Sequence, residues 1–417
     1  MPLEFQVRRP HWLRSFNAVG RGLRALGFEP VSLDPDELQR TARRRAKLTD
    51  FGGDEFLEPM RHFLASAEEE AQLSWMGRLM ARQDALCVLD NRLRMTALFD
   101  RNPEILDQPV SAPIFITGLP RSGTTILHEL LGQDPAHRVP LCWQTRYAVP
   151  PPADSPDPRD PRIRRTDRDL RLWHRLVPAH ATMHRNGAEL PSECADLTAH
   201  TFLGDRFTAL YQVPRFAAWS TTQDPRVMYR WHRKMLQLLQ WRRPPARWVL
   251  KAPAHMNWLD ALLDVYPDAR IVQSHRDPLQ VMGSVASLLL AILWMRADSV
   301  DAAGVEAAFG GASFAAQLDA ALRVRDDPAR DSDQFADVRY LDLMRDPLAT
   351  IHELYTELGH ELDAACENRM RAYLDAKPQG KYGRHLYRFA DLGLDLVEER
   401  ARFAAYQARF DVTSEVV

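Results

Sequence analysis

The stretch from Ile114 to Leu131, IFITGLPRSGTTILHELL, constrains this chain more than any other, because an apolar strand, a glycine-bounded turn and a helix start follow one another without a break. Gly118 and Gly123 bracket four other residues, Thr124 and Thr125 supply hydroxyls, and Ile126, Leu127, Leu130 and Leu131 carry helical spacing onto a core face. Backbone N–H groups at such a helix start converge on an anion, and the positive end of the helix dipole adds to their pull. The run therefore reads as a phosphate cradle. It departs from the kinase-type loop G-x-x-x-x-G-K-[ST], since Thr124 stands where a lysine would reach the outer phosphates. Arg121 is the cation inside the loop, which suits a 5′-phosphate or phosphosulfate and leaves no device for γ-phosphate chemistry.

With 417 residues, of which 45% are apolar, the chain is long enough for a large core. Its 54 basic residues nearly balance 56 acidic ones, so no global field draws it to nucleic acid or to an anionic membrane. Cys87, Cys142, Cys194 and Cys366 lie far apart without a C-x-x-C pair, which indicates neither a disulfide framework nor a zinc site and fits a reducing cytoplasm. The longest near-apolar stretch, Val281 to Met295, is interrupted by Gly283, Ser284 and Ser287 and falls short of the roughly 20 residues that span a bilayer. It reads as a buried helix, and no transmembrane segment is expected.

Residues 1 to about 110 have helical periodicity, strongest over Glu55 to Ala71 and Gln83 to Leu98. Val149 to Pro161, rich in Pro and Asp, reads as a stiff loop. From Arg247 a β/α rhythm follows: strands at Trp248 to Leu250, Arg270 to Ser274 and Asp337 to Tyr340, with helices near Asn257 to Tyr266, from Leu279, and over Leu348 to Leu358. Such alternation implies a parallel sheet covered on both faces. Within it, SHRDPLQVMGSVAS delivers Arg276 from a strand end and Ser284 eight residues later, a fork and a hydroxyl able to converge on a second phosphate.

These ordered motifs resemble the sulfotransferases that use 3′-phosphoadenosine 5′-phosphosulfate, in particular a bacterial branch with a GxPRSGTT loop, from about Ile114 to Arg409, roughly 70% of the chain. The resemblance implies an α/β fold: a P-loop-like central parallel sheet flanked by helices in a sulfotransferase domain of residues 111–417, after a helical N-terminal extension of residues 1–110. It further implies that Arg121, Ser122, Gly123, Thr124 and Thr125 wrap the 5′-phosphosulfate and that Arg276 and Ser284 hold the 3′-phosphate. A C-terminal run, KPQGKYGRHLYRFADLGL, resembles the family's closing loop, and the resemblance implies Lys381, Gly383 and Arg384 as candidates for the same phosphate.

In-line sulfuryl transfer needs a base for the acceptor's proton and cations for the leaving phosphate, as phosphoryl transfer does. LKAPAH places Lys251 and His255 at a strand end for those two roles, with Arg121 assisting at the leaving group. Other branches use a glutamate after the cradle helix, where this chain has the neutral Gln144; Glu193, in ELPSECADL, is the alternative base, or else a carboxylate at a helix start. His174, His180 and His184 lack the acidic partner of a zinc motif, and no metal is expected.

Aromatic residues between Phe202 and Trp241, including Phe207, Tyr211, Phe216, Trp219, Tyr229 and Trp231, are mostly core, with a few available to line a pocket for a small-molecule acceptor, a lipid, phenol or other apolar alcohol. Three matters stay open at this point: a P-loop kinase or NTPase, a nucleotide-binding protein without chemistry, and assembly as a homo-oligomer.

Overall fold

The computed structural model describes residues 9–152, 157–178, 187–244, 246–377 and 389–416. Five parallel strands form one sheet in the order β2-β3-β1-β4-β5: β1 (Ile114–Gly118), β2 (His137–Arg138), β3 (Arg247–Lys251), β4 (Arg270–His275) and β5 (Phe335–Arg339). All five residues of β1 are buried, as a central parallel strand covered on both faces must be.

Alternation along β1 sorts its side chains between two cores. Ile114 and Ile116 pack with Val249 and Val272 under the helix α5 (Thr124–Leu131), whose Leu127, Leu130 and Leu131 fill the same cluster. Phe115 turns the other way, into a larger cluster with Trp248, Leu250 and Ile271, covered by the helices Arg226–Gln240, Leu259–Val265 and Pro278–Trp294. Each fully buried Leu or Ile contributes about 1.5–3 kcal/mol. Sheet, cradle and helices are thus one packed layer system, and the α/β architecture expected from the sequence is the one observed.

Among the described residues, four α-helices precede the sheet: α1 (His11–Ala25), α2 (Pro35–Ala46), α3 (Leu57–Glu69) and α4 (Trp75–Arg101). Asp34 starts α2 by accepting from the Glu37 amide at 2.7 Å, with Pro35 at the first helical position, and Ser74 starts α4 by accepting from the Gly77 amide at 3.0 Å. The far end of α4 shares the sheet's core through Met95 and Phe99, while Leu86, Leu89 and Leu93 pack with Phe202, Phe207 and Phe216. Arg92 seals that junction, its guanidinium 3.8 Å from the Trp231 ring centre and 2.9 Å from Glu55.

β5 runs two residues earlier at its start than the sequence pattern places it, and Tyr340 opens a short helix. Ala336 and Val338 point inward and Asp337 and Arg339 outward, the alternation of an edge strand. Among the described residues, no helix is long and apolar enough to cross a membrane.

Candidate active site

The cradle sits at the carboxyl end of β1, the sheet's middle strand, where open α/β sheets hold ligands. Gly118 has φ +131° and Gly123 φ +94°, both in the left-handed region that side chains avoid. A Cβ on Gly118 would come closer than 3.0 Å to the Ser274 carbonyl oxygen, and one on Gly123 would lie 3.1 Å from the Tyr340 ring. The glycines therefore let the loop press against β4 and Tyr340. Ser122 is fully buried, and its hydroxyl donates to the Leu119 carbonyl at 2.6 Å, so it holds the turn's shape and does not face the cavity. Arg121, Gly123, Thr124 and Thr125 do line the cavity, with α5 starting at Thr124.

Arg276, Arg121 and Ser284 form one chain of contacts. The Arg121 Nε donates to Ser284 Oγ at 3.2 Å, and Arg276 Nη1 donates to the Arg121 carbonyl at 2.9 Å. The two regions expected to bind separate phosphates are therefore mechanically joined. The Arg276 guanidinium also stacks 3.8 Å from the Tyr340 ring centre and grips Glu415 through both carboxylate oxygens at 2.8 Å.

On the other side of β1, Lys251 emerges from the end of β3 opposite Ile116. It is only 3% exposed, and its ammonium donates to the Glu193 carboxylate. Thr117 Oγ1 donates to the carbonyls of Ala252 and Pro253, at 3.1 Å each, fixing the turn that carries Lys251 relative to the cradle. Glu193 precedes the helix Cys194–Thr198 without capping it through its side chain, so its carboxylate is committed to Lys251 and to the cavity. His255 lies behind the wall: it is 2% exposed, and the cavity is lined by Lys251, Pro253 and Ala254 but not by His255. Its Nδ1 meets the Tyr229 hydroxyl at 2.8 Å, and Nε2 has no hydrogen-bond partner among the described residues. Burial, and then the Lys251 charge against an opposing effect of Glu193, hold its pKa down to about 3, so the ring is neutral.

One cavity of about 1710 Å³ joins these groups. Arg276 lines it just before the start of the helix Pro278–Trp294, and Leu289 and Ile292, toward the far end of that helix, line it together with Trp173 and Val305; Tyr340 also lines it. Residues 113–364 match the sulfotransferase family. The chain belongs to that family.

The sulfotransferase STF1 from Mycobacterium tuberculosis H37Rv is 33% identical and superposes with a TM-score of 0.77 over 90% of this chain and 99% of that one. STF9 from Mycobacterium avium, 28% identical, superposes at 0.82 over 93% and all of its own length. Among curated sequences, the omega-hydroxy-beta-dihydromenaquinone-9 sulfotransferase Stf3 of Mycobacterium bovis is 28% identical over 276 residues, 63% of this chain and 66% of that protein, so the match spans just under two thirds of the relative's length.

In this chain the aromatic run after Phe202 supplies little of the cavity: Phe207, Phe216, Tyr229 and Trp231 are core, while Tyr211 reaches the wall. Lys381, Gly383 and Arg384, and also His180 and His184, lie outside the described residues. Sequence reasoning missed Tyr340, which backs both Gly123 and Arg276. It also missed Asp205, a cavity-lining carboxyl pushed up to about 6 by burial and then by the charge of Glu193.

Proposed function

We propose that this chain transfers the sulfuryl group of 3′-phosphoadenosine 5′-phosphosulfate to the hydroxyl of an apolar small-molecule acceptor. The observation that carries the reading is that the Lys251–Glu193 pair and the cradle line one cavity, whose remaining wall is largely apolar. A base, a cation and an anion site thereby share one space. The residues fit a nucleotide with two anionic ends: the left-handed glycines open the cradle, and the fork of Arg276 already holds a carboxylate.

The donor supplies the sulfuryl group and an adenosine bisphosphate as leaving group. The α5 amides, with Thr124 and Thr125, orient the 5′ end, and Arg121 and Arg276 hold the two ends at a fixed spacing because one hydrogen bond ties them. Glu193 takes the acceptor's proton, and Lys251 neutralises charge on the leaving oxygen. Glu193 is preferred to His255 because it stands in the cavity wall, while the His255 ring is buried behind that wall against the Tyr229 hydroxyl. The apolar end favours a long aliphatic or isoprenoid alcohol, in keeping with the hydroxylated menaquinone named for the Mycobacterium bovis relative.

Incubation with the donor and a series of ω-hydroxy isoprenoids and fatty alcohols, read by mass spectrometry for the sulfate ester, tests this. Sulfation that rises with chain length supports it. Tight adenosine 3′,5′-bisphosphate binding without turnover of any alcohol would refute the choice of acceptor, and binding no stronger than that of ATP would refute the donor.

A further inference from the structure

Arg276 is not waiting open for a ligand. Its Nε and Nη2 hold Glu415 Oε1 and Oε2 in a bidentate pair, both at 2.8 Å, with the arginine and glutamate side chains 12% and 17% exposed. A carboxylate gripped by both arms of a guanidinium makes the contact that a phosphate oxygen pair makes in the same fork.

The segment that delivers Glu415 is held by its backbone. Asp277, fully buried, accepts from the amides of Glu415 at 2.7 Å and Val416 at 3.2 Å, as well as from Arg400 Nη1 at 2.8 Å and Nη2 at 3.2 Å. Arg400 Nη2 also donates to the Val416 carbonyl at 2.7 Å, and Gln407 Nε2 donates to the Val412 carbonyl at 3.2 Å. These bonds dock the segment, and none of them needs the Glu415 side chain. That side chain is committed to Arg276.

We infer that Glu415 is a built-in competitor for the donor's 3′-phosphate: residues 411–416 plug the Arg276 fork in the resting protein, and a phosphate displaces the carboxylate when the nucleotide binds. This rests on the assignment of Arg276 to the donor. A phosphate carries more charge than the carboxylate, so it wins the fork once the cradle has engaged the other end of the nucleotide. The apparent affinity is lowered by the fraction of molecules in which the fork is closed. A ligand lacking the 3′-phosphate gains nothing from displacing Glu415, so the plug sharpens discrimination as well as setting affinity.

The test is calorimetric titration of the full chain with adenosine 3′,5′-bisphosphate and with adenosine 5′-phosphate, in wild type, Glu415→Gln, Glu415→Ala and Arg276→Ala. Both Glu415 variants keep the backbone contacts to Asp277. They are expected to bind the bisphosphate at least tenfold more tightly than wild type, while affinity for the monophosphate moves by less than twofold. Weaker or unchanged bisphosphate binding in both variants would mean that Glu415 positions Arg276 for the ligand, and would overturn the plug alone. Indifference of bisphosphate binding to Arg276→Ala would overturn the donor assignment and the plug with it. Hydrogen exchange on the wild-type protein gives a second readout: because the backbone contacts to Asp277 persist while the Glu415–Arg276 contact is lost, amides over 411–416 should gain no protection when the bisphosphate is bound, and added protection there would refute displacement.

Discussion

Gly118→Ala is the substitution whose consequence follows most directly from the geometry. Gly118 pairs with Ser274 in the β1–β4 ladder and has φ +131°. Alanine there is forced out of its allowed backbone regions, which costs of order 1–3 kcal/mol. The added methyl also meets the Ser274 carbonyl oxygen at less than 3.0 Å, and a backbone carbonyl in a buried ladder cannot swing aside as a flexible side chain would. Overpacking of this kind costs about 1–3 kcal/mol more, for a total of roughly 2–6 kcal/mol. A chain of 417 residues unfolding in one step has an unfolding entropy of about 0.9 kcal/mol/K, so Tm should fall by about 2–7 °C. Gly22→Ala is the control of opposite sign: Gly22 is an exposed residue inside α1 with nothing within 4 Å of an added methyl, and alanine should stabilise the helix by about 1 kcal/mol. Scanning calorimetry and bisphosphate titration of both variants check this. If Gly118→Ala melts with wild type, the close approach of β1 and β4 is wrong; if it melts lower yet binds the bisphosphate normally, the cradle is not the anion site.

Glu193→Gln should lower kcat by about 10²–10³-fold and leave bisphosphate affinity unchanged, whereas His255→Gln should chiefly lower Tm; a greater loss of kcat in a well-folded His255 variant would move the base to His255. Leu289→Trp, which fills the apolar end of the cavity, should raise KM for long acceptors at least tenfold and spare donor binding, and an unchanged chain-length preference would show that acceptors bind elsewhere. The pH dependence of stability follows from buried rings: burial holds His128 and His255 down to about 3 and His200 to about 4, against an ordinary value of 6.5. The unfolded chain therefore binds more protons below pH 6.5, so stability is full above that value and falls with acidification by up to about 1.4 kcal/mol per pH unit for each ring. Asp205, raised to about 6, works in the opposite sense and is outnumbered. Melting scans between about pH 7.5 and pH 5 should show a falling Tm, and a flat or rising one would place these histidines in contact with water.

The central strand, the cradle and the strand ends carrying Lys251 and Arg276 were legible because each is a local pattern: an apolar run, a pair of glycines, a charged residue where the run stops. Partnerships across the chain were not. Glu193 and Lys251 are 58 residues apart and Arg276 and Glu415 are 139 apart, and nothing in either neighbourhood shows that topology brings them together. Aromatic density misled for a related reason. Phe63 of α3 packs on Phe202, Phe207 and Phe216 from far along the chain, and a run of rings looks the same in sequence whether it faces a core or a cavity. Ser122 shows the same gap on a smaller scale, since a hydroxyl in a cradle motif can equally well bind a ligand or hold the loop, and here it holds the loop.

The helix Pro278–Trp294 explains why donor and acceptor ends share one cavity. It begins immediately after Arg276, with Asp277 accepting from the Leu279 amide at 3.1 Å, and its 17 residues span about 26 Å. Within its first two turns Ser284 meets Arg121, and over its next turns Val285, Leu288, Leu289 and Ile292 form cavity wall. Asp277, which starts this helix, is also the anchor of the segment carrying Glu415. Its bonds to the Glu415 and Val416 amides do not involve the Glu415 carboxylate, so the helix start stays anchored when that carboxylate leaves the Arg276 fork. The helix therefore fixes the distance between Arg276, just before its start, and the apolar cavity wall along its later turns, so a ligand that engages both is measured against one rigid rod.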